Sequence, residues 1–403
     1  MNGTPIKDSN RLEWIDAARG LAILGIFMVN VPAFNAPYFM YGGAAKYWNS
    51  EVSHAVQTIV DMFFQASFYT LFSFLFGFGM YMMKERLLEK GFGAGYTKVI
   101  FRRLVVLICF GLLHGLFVWH GDILFTYGMI GFLLFLFFDA KPRTMLATAI
   151  GILSGYAVIM GGLMYLSKDL LGQIQEDSIQ QAMEHYTSGS LFDVWEQIQR
   201  DWLVSNGNGF AWFVLIATLL PMFLFGMYFC KKRLLHDIGT HNKTLRLIWL
   251  VSLFLFLTFK IGPYTFGNPE WFQFSMQDSI GGSASAIFYI TSVTLMYQNG
   301  LGKQLLKPFT YVGRLSLSNY LLQSFICFFL FYPIGMGLYG QVPPLWSVVI
   351  VLIVYVIQVV LSFIWLRYFR FGPFEWLWRS ITYGNKQRIR NDNREKGEVQ
   401  REA

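Results

Sequence analysis

Apolar residues form long, nearly uninterrupted runs along this chain of 403 residues. A helix needs about 20 apolar residues to cross a hydrocarbon core of about 30 Å. The pattern predicts ten segments of this length, at 15–34, 58–83, 100–119, 122–138, 145–166, 208–230, 244–260, 281–297, 310–333 and 345–366. We therefore predict an all-α, polytopic membrane protein with a single transmembrane domain over 1–384.

The composition supports this class. The chain is 55% hydrophobic and only 14% charged, with a mean hydropathy of +0.43. One soluble core cannot bury so much apolar surface. We expect the first predicted span to be an uncleaved anchor, because Asp16 and Arg19 lie at its start and no small-residue cleavage site follows.

Basic residues in the connections predict the orientation, because short cytoplasmic loops retain Lys and Arg. With the N-terminus in the cytoplasm, only Lys46, Lys168, Arg200 and Lys260 of the 32 basic residues fall outside the cytoplasmic connections. This distribution predicts that both termini are cytoplasmic. It also explains the net charge of +8 as loops beside anionic lipid, so we expect the bilayer and no nucleic acid as partner.

Motifs of soluble enzymes are missing from the sequence, which has no GK[ST] phosphate loop, HExxH, GxSxG or CxxC. The cysteines Cys109, Cys230 and Cys327 are scattered without metal-ligand spacing. We therefore expect no metal site and no tightly bound cofactor.

Ionisable residues interrupt the apolar sequence between 101 and 128. His114, His120 and Asp122 are candidate site residues, because such groups are costly at membrane depth. A carboxylate that binds one imidazole nitrogen leaves the other free to accept a proton, so His114 and Asp122 together suit acid–base chemistry. The alternative is that His114 only bonds a neighbouring helix.

The polar residues of the predicted spans form two levels. Those near the cytoplasmic side are Asp16, Arg19, Arg102, Arg103, Arg314, Glu375 and Arg379. Those towards the opposite side are Asn30, Asp61, His114, His120 and Asp122. Asn319 and Gln323 fall between the levels, and we assign them, with His120, Glu375 and Arg379, to a path that joins the two. Arginines that extend to lipid phosphates, and a structural Asp16–Arg19 ion pair, are the competing interpretations.

Two further segments lie outside the predicted spans. In the outer loop 167–207, Leu191, Trp195, Ile198 and Trp202 recur at helical spacing, which predicts an amphipathic helix at the membrane interface. Such a helix either anchors the loop or covers a site. The polar segment 385–403 is predicted to be a disordered cytoplasmic tail.

Five ordered motifs resemble the YeiB-like family of bacterial membrane proteins, and they extend nearly from end to end. They are RLEWIDAARGLAILGIFMVN at 11–30, FYTLFSFLFGFGM at 68–80, GLLHGLFVWHGDILFTYG at 111–128, GRLSLSNYLLQS at 313–324 and FGPFEWLWRSITYG at 371–384. That family is largely classified as a domain of unknown function. It is distantly similar to transmembrane acyltransferases such as heparan-glucosamine N-acetyltransferase, mainly through a D-x-x-RG…N pattern that falls here on Asp16, Arg19, Gly20 and Asn30.

The resemblance implies a bacterial cytoplasmic (inner) membrane protein that moves an acyl group from cytoplasmic acyl-CoA to a small-molecule or glycan acceptor outside. In this hypothesis Arg19, Arg102, Arg103 and Arg314, next to Asp16, bind CoA phosphates. Asn30 stabilises the oxyanion. The acyltransferases use a histidine of the first outer loop, where this chain has His54 before Asp61 in a poorly matching context. The base is therefore either His54 with Asp61 or His114 with Asp122.

Two other functions remain open. The same polar residues suit a transporter of small solutes or drugs, including a proton-coupled one. The other alternative is an accessory protein whose polar residues only hold helices together. Self-association of the chain is left open.

Overall fold

The computed structural model of the protein describes residues 11–391. These residues are helical apart from turns, loops and one isolated antiparallel bridge between Phe369 and Arg390. Within this range eight helical segments are long and apolar enough to cross a membrane, or nine if one bent pair counts as a single span. The predicted all-α, multi-pass membrane fold is confirmed. The predicted tail lies outside the described residues from position 392 onward.

The bounds of the helices follow the predicted spans with several additions. The longer helices are α1 (Glu13–Asn35), α2 (Glu51–Phe63), α3 (Ser67–Glu89), α4 (Tyr96–Phe117), α5 (Leu124–Gly131), α6 (Pro142–Leu166), α7 (Glu176–Ser188), α8 (Leu191–Asn206), α9 (Gly209–Lys231), α10 (Ile238–Phe256), α11 (Gly282–Met296), α12 (Gly300–Arg314), α13 (Ser316–Phe331), α14 (Pro344–Tyr368) and α15 (Pro373–Tyr383). Short α-helical turns are Tyr38–Tyr41, Ala44–Tyr47 and Glu270–Phe272. The 3-10 turns are Gly93–Gly95, Phe132–Leu136, Lys168–Leu170 and Gly262–Phe266, and two π-helical segments are Leu257–Ile261 and Gln273–Gly281.

The predicted span 122–138 is a shorter element. α5 and the 3-10 turn after it form one apolar segment, Leu124–Leu136. At 1.5–2 Å per residue this segment is roughly 20–26 Å long, less than a hydrocarbon core of about 30 Å. Lys84 Nζ donates to the carbonyl of Phe138 at 2.7 Å and to the carboxylate of Asp139 at 2.6 Å. The chain then turns into α6.

The predicted span 310–333 is bent. α12 and α13 meet at Leu315 with an angle of 78° between them. The break exposes the first N–H groups of α13, and Glu375 of α15 satisfies two of them: its Oε1 accepts from Leu317 N at 2.7 Å and Ser318 N at 3.0 Å. A carboxylate at a helix N-terminus also complements the helix dipole, so Glu375 stabilises the bend.

Glycines let the backbones of neighbouring helices touch. A Cβ added at Gly77 of α3 would lie 2.0 Å from the carbonyl oxygen of Phe223 on α9. A Cβ at Gly226 of α9 would lie 2.0 Å from the carbonyl oxygen of Phe74. Small residues at such crossings allow van der Waals contact that larger ones prevent. α3 and α9 are thus held as a close pair.

α1 makes a similar contact with α12. A Cβ at Gly20 would lie 2.0 Å from the carbonyl oxygen of Phe309, and one at Gly313 would lie 1.8 Å from that of Asp16. α1 also contacts α3, α11, α13 and α14. It is therefore a central helix, and its N-terminal charges lie beside the end of α12.

The loop 167–207 folds as α7 and α8 against the end of the bundle away from Arg11 and Asn391. Asp201 of α8 accepts hydrogen bonds from the hydroxyls of Tyr41, at 2.5 Å, and Tyr186, at 2.8 Å. Trp195 Nε1 donates to the carbonyl of Phe117 at 3.0 Å. The four residues predicted on one helix face all belong to α8, which covers the hairpin between α4 and α5.

The first loop is tied to α7 by an exposed contact. Lys46 Nζ and the Tyr47 hydroxyl donate to the carboxylate of Glu176 at 2.5 and 2.6 Å. The hydrogen bond from Lys46 is the main cause that lowers the pKa of Glu176. The loops on this side therefore form one connected layer.

We predict opposite effects at two neighbouring glycines. Gly77→Ala should destabilise the protein by about 1–3 kcal/mol through overpacking against α9. Gly79→Ala should be neutral or slightly stabilising, because an added Cβ meets only Arg19 Nη2, at 3.5 Å, and alanine favours the helix. Thermal melting in detergent measures both. Equal melting temperatures for the two variants would contradict the packing described for α3.

Candidate functional site

His114 and Asp122 are in contact within the hairpin between α4 and α5. His114 Nδ1 lies 2.8 Å from Asp122 Oδ1, and the two side chains are 2% and 0% exposed. The second oxygen of Asp122 accepts a hydrogen bond from the backbone N–H of Phe125 at 2.7 Å. A carboxylate acceptor holds the proton on Nδ1 and leaves the lone pair on Nε2. The two residues thus have the geometry of an oriented base.

Two glycines of α4 let neighbouring segments pack closely around this contact. A Cβ at Gly111 would lie 2.1 Å from Phe125 N and 2.7 Å from Asp122 Oδ2. A Cβ at Gly115 would lie 2.8 Å from the indole nitrogen of Trp202. The small-xxx-small pair therefore serves close packing, as its spacing indicates.

Tyr320 of α13 is the neighbour of His114 on the other side. The ring centroids of the two residues are 5.3 Å apart. His114 Nε2 is buried and has no hydrogen-bond partner among the described residues, and the buried Tyr320 hydroxyl has at most a backbone contact with Ile123. Buried polar atoms without partners are costly and mark sites that merit a functional explanation.

A cavity of about 510 Å³ extends from the end of the bundle that carries Arg11 to Tyr320. Its interior is lined by apolar side chains that include Ile23, Ile26, Phe72 and Leu107. This volume is typical of sites for small molecules. His114 and Asp122 lie behind its wall: Tyr320 lines the cavity, and so does Ile123, which follows Asp122 in the chain.

Basic residues cluster at one end of this cavity, which we call the basic end. They are Arg11, Arg19, Arg86, Lys90, Arg103, Arg314 and Arg379. Three acidic residues, Asp16, Glu89 and Glu375, also line the cavity, so seven cations and three anions leave a formal excess of +4. Such a concentration of positive charge favours an anionic ligand.

The predicted Asp16–Arg19 contact is present, but Asp16 is shared. Arg19 Nη1 lies 3.3 Å from Asp16 Oδ1, and Arg11 also pairs with this carboxylate. Arg103 stacks on Trp378, with its guanidinium carbon 3.6 Å from the ring centroid. Stacking fixes the guanidinium plane and leaves its N–H groups available for anions.

The other two arginines predicted to bind phosphate differ in their position relative to the cavity. Arg314 lines the cavity, whereas Arg102 does not. A Cβ at Gly384 would lie 2.8 Å from Arg102 Nη1, so this arginine lies against the end of α15. Arg103, one residue later, points to the cavity because it occupies a different face of α4.

The residues assigned to a joining path are mostly engaged elsewhere. Asn319 Nδ2 donates to Ser362 Oγ at 3.0 Å, and Gln323 Nε2 donates to Gln358 Oε1 at 2.9 Å. Gln358 Nε2 donates to the Asn319 carbonyl at 2.9 Å. These bonds join α13 to α14, and neither Asn319 nor Gln323 lines the cavity. The two side chains therefore stabilise the contact between the helices.

The remaining path and base candidates lie in separate places. Glu375 and Arg379 do line the cavity, although Glu375 is committed to the start of α13. His120 contacts Trp119, with ring centroids 5.5 Å apart. His54 is exposed on α2, with Nε2 3.3 Å from the carbonyl of Ala45. Asn30 is half-buried on α1 and is not part of the cavity wall.

A second buried polar cluster surrounds Lys260, whose side chain is 0% exposed. Its Nζ lies 2.9 Å from Asp278 Oδ1 and 3.6 Å from Asp61 Oδ1. Asp61 also accepts from the Tyr264 hydroxyl and from Gln277 Nε2, the latter at 3.1 Å. The structure thus pairs Asp61 with Lys260 and not with His54.

The Lys260 cluster coincides with both π-helical segments, Leu257–Ile261 and Gln273–Gly281. Such distortions are frequent at functional sites, because they re-aim side chains within a helix. Sequence reasoning missed Lys260 and Asp278 as site residues. One signal existed: Lys260 is among the four basic residues that lie outside the predicted cytoplasmic connections.

Tyr320 and Arg86 were also missed. Tyrosine is common in apolar helices, and an arginine at a helix end is ordinarily a lipid anchor, so neither pattern was distinctive. Only their convergence on the cavity singles them out. Among the described residues, no group of three or more His, Cys, Asp or Glu side chains is arranged to bind a metal ion.

Comparisons with known proteins give the family. Uncharacterized protein YxaH of Bacillus subtilis is 37% identical over 96% of this chain and 97% of its own length. Uncharacterized protein YeiB of Escherichia coli is 30% identical over 91% of this chain and 95% of its own. The chain belongs to the YeiB-like DUF418 family.

The family model, described as Protein of unknown function (DUF418), matches residues 229–385. This part of the YeiB-like chain contains Tyr320, Lys260 and Glu375, whereas the hairpin with His114 lies in the N-terminal part that the two relatives also cover. A protein from the amylase 3′ region of Bacillus acidopullulyticus is 27% identical over 95% of this chain and 96% of its own length. No solved structure matches the chain significantly.

We predict that Lys260→Met destabilises this YeiB-like protein by about 3 kcal/mol, the lower end for a broken buried ion pair, because two carboxylates lose their cation. The double variant Lys260→Met with Asp278→Asn should lose less, since one of those charges is removed as well. SDS titration in mixed micelles measures the unfolding free energies.

Lys303→Met is the matched control for this prediction. Lys303 pairs with Glu13 at 3.1 Å, but both side chains are more than half exposed. Its loss should change stability by less than about 1 kcal/mol. The interpretation of Lys260 as a buried partner fails if the two single variants unfold at the same SDS concentration.

Proposed function

We propose that this protein is an acyltransferase of the bacterial cytoplasmic membrane. It accepts an acyl group from acyl-CoA in the cytoplasm and transfers it to a small-molecule or glycan acceptor at the outer face. One observation carries the proposal: a single cavity has cations at one end and, at the other, Tyr320 in contact with the His114–Asp122 pair.

The basic end supports binding of the CoA phosphates. Arg19, Arg86 and Arg103 line it from three different helices. Charge-assisted hydrogen bonds from guanidinium groups to phosphate are among the strongest in proteins. The proposal puts the basic end on the cytoplasmic side, where the distribution of Lys and Arg in the connections also predicts it.

His114 acts as the general base in this proposal. Tyr320 separates His114 from the cavity, so the proposal requires this side chain to turn aside when the substrates bind. His114 Nε2 then removes the proton from an acceptor hydroxyl or amine while the acceptor oxygen or nitrogen bonds to the thioester carbonyl carbon. The carbon–sulfur bond then breaks, and the proton passes to the CoA sulfur as the free thiol leaves. Asp122 holds Nδ1 protonated and stabilises the imidazolium between these steps.

Tyr320 supplies a hydrogen-bond donor to the developing oxyanion. Its side chain lines the cavity and its ring lies beside the imidazole, and its buried hydroxyl has at most a backbone contact with Ile123, which leaves the hydroxyl proton to donate. A donor that is oriented before the reaction lowers the barrier most effectively. Tyr320 is better placed for this role than Asn30, which lies outside the cavity wall.

The expected consequence is loss of transfer on mutation of the pair. His114→Ala and Asp122→Asn should each reduce label transfer by about 10²-fold or more, because general-base catalysis contributes 10²–10⁴-fold. The assay uses purified protein in liposomes, radiolabelled acetyl-CoA and octanoyl-CoA, and a panel of cell-wall sugars and glycolipids.

His54→Ala is the control that decides between the two histidines. It should transfer at the wild-type rate, because His54 is exposed and does not line the cavity. Melting temperatures show that each variant is folded. Normal transfer by folded His114→Ala, or no transfer by wild type across a broad acceptor panel, would overturn the proposal.

Proton-coupled transport of a small solute is the second candidate. The bend between α12 and α13 and the buried Lys260 cluster favour it, because broken helices and intramembrane charges are typical of transporters. Uptake into proteoliposomes should then depend on a proton gradient and fall in Lys260→Met. This candidate would be eliminated if the rate of uptake were the same with and without the proton gradient and the same in wild type and His114→Ala.

A further inference from the structure

The cavity changes from charged to apolar along its length. Its lining residues on α1 include Asp16, Arg19, Ile23 and Ile26, which recur every three or four positions. This spacing places them on one face of the helix. At 1.5 Å per residue, Ile26 lies about 10 Å deeper than Arg19. The wall is therefore basic first and aliphatic beyond.

α3 repeats this order on another side of the cavity. Arg86 and Lys90 line the basic end, and Phe72, Leu75 and Phe76 line the interior. Phe72 lies about 20 Å along the helix from Arg86. The lining residues of both α1 and α3 thus indicate an apolar interior that extends beyond the cations towards Tyr320.

An acyl-CoA likewise has a charged part and an apolar part. Its phosphates are anionic, and its acyl chain is apolar. An acetyl group offers one methyl group to these walls, whereas a longer chain lets many methylene groups leave water, each of which strengthens binding. An interior lined by Ile23, Ile26 and Phe72 matches the longer chain.

We infer that the cavity binds an amphiphile with phosphate groups at the basic end and an acyl chain longer than acetyl in the apolar interior. The inference rests on the proposed function, and it names the donor as a medium-chain or longer fatty acyl-CoA. The pantetheine arm extends from the basic end towards Tyr320, where the thioester lies, and the acyl chain folds back along Ile23, Ile26 and Phe72. A membrane lipid phosphate shares this chemistry, and competition with octanoyl-CoA distinguishes the two.

Gly79 offers a probe for the position of the chain. It lines the cavity on α3 between Phe76 and Arg86. An added Cβ would meet only Arg19 Nη2, at 3.5 Å, so a larger side chain enters the cavity without striking backbone. Gly79→Leu should therefore narrow the passage between the basic end and the interior.

The experiment measures equilibrium binding of CoA, acetyl-CoA and octanoyl-CoA to the full chain in neutral detergent. Octanoyl-CoA should bind at least about tenfold more tightly than acetyl-CoA because of the extra buried methylene groups. Gly79→Leu should remove this preference, measured within the variant as the ratio of its affinities for octanoyl-CoA and acetyl-CoA. Arg86→Gln should weaken all three ligands by a similar factor.

Gly155→Leu is the matched control. Gly155 is on α6, where an added Cβ has no heavy atom within 4 Å, and it does not line the cavity. This variant should keep the wild-type preference for octanoyl-CoA. Melting temperatures of both leucine variants establish that they are folded.

The outcomes separate the inference from the proposed function. Equal affinity for acetyl-CoA and octanoyl-CoA overturns the inference while acyl transfer from CoA stands. No binding of any CoA species counts against both. A dioctanoyl phosphatidic acid that binds more tightly than octanoyl-CoA and displaces it identifies a lipid phosphate as the occupant, which overturns the assignment to CoA.

Discussion

The close approach of helix backbones at glycine is the constraint on which the architecture depends. Gly20 and Gly313 place α1 directly on α12, and Gly77 places α3 directly on α9. In a bilayer there is little hydrophobic gain from bringing apolar helices together, so contact at small residues has to supply the attraction. These contacts fix the positions of α1 and α3, whose faces form two walls of the cavity.

A second constraint follows from the cost of polar groups in apolar surroundings. Most buried polar residues have found a partner: Glu375 satisfies the start of α13, Gln358 bonds Gln323, and Lys260 pairs with Asp278. Such residues are explained by the fold. Other buried polar atoms lack a partner, and among them the Nε2 atom of His114 lies beside Tyr320 at the cavity. This position at the cavity distinguishes His114 and Tyr320 from the residues that only hold helices together.

Much of the fold could be predicted from the sequence, but only part of the candidate site could. The His114–Asp122 contact lies within one hairpin, so the separation of only eight positions along the chain was enough to suggest it. Asn319 and Gln323 were expected to line a path, but their helix face meets α14. Tyr320 was not singled out at all, because its importance depends on two distant segments, α4 and the cavity wall, that meet only in three dimensions.

The amino-acid sequence alone determined that the chain is a multi-pass helical membrane protein, because the free energy of placing a segment in a bilayer is close to a sum over its own residues. It also determined which residues are costly there. The tertiary structure decided which of them share a space. Arg103 faces the cavity and Arg102 does not, and Asp61 faces Lys260 instead of His54. Such choices depend on which helix faces meet, and that is set by packing between segments far apart in the chain.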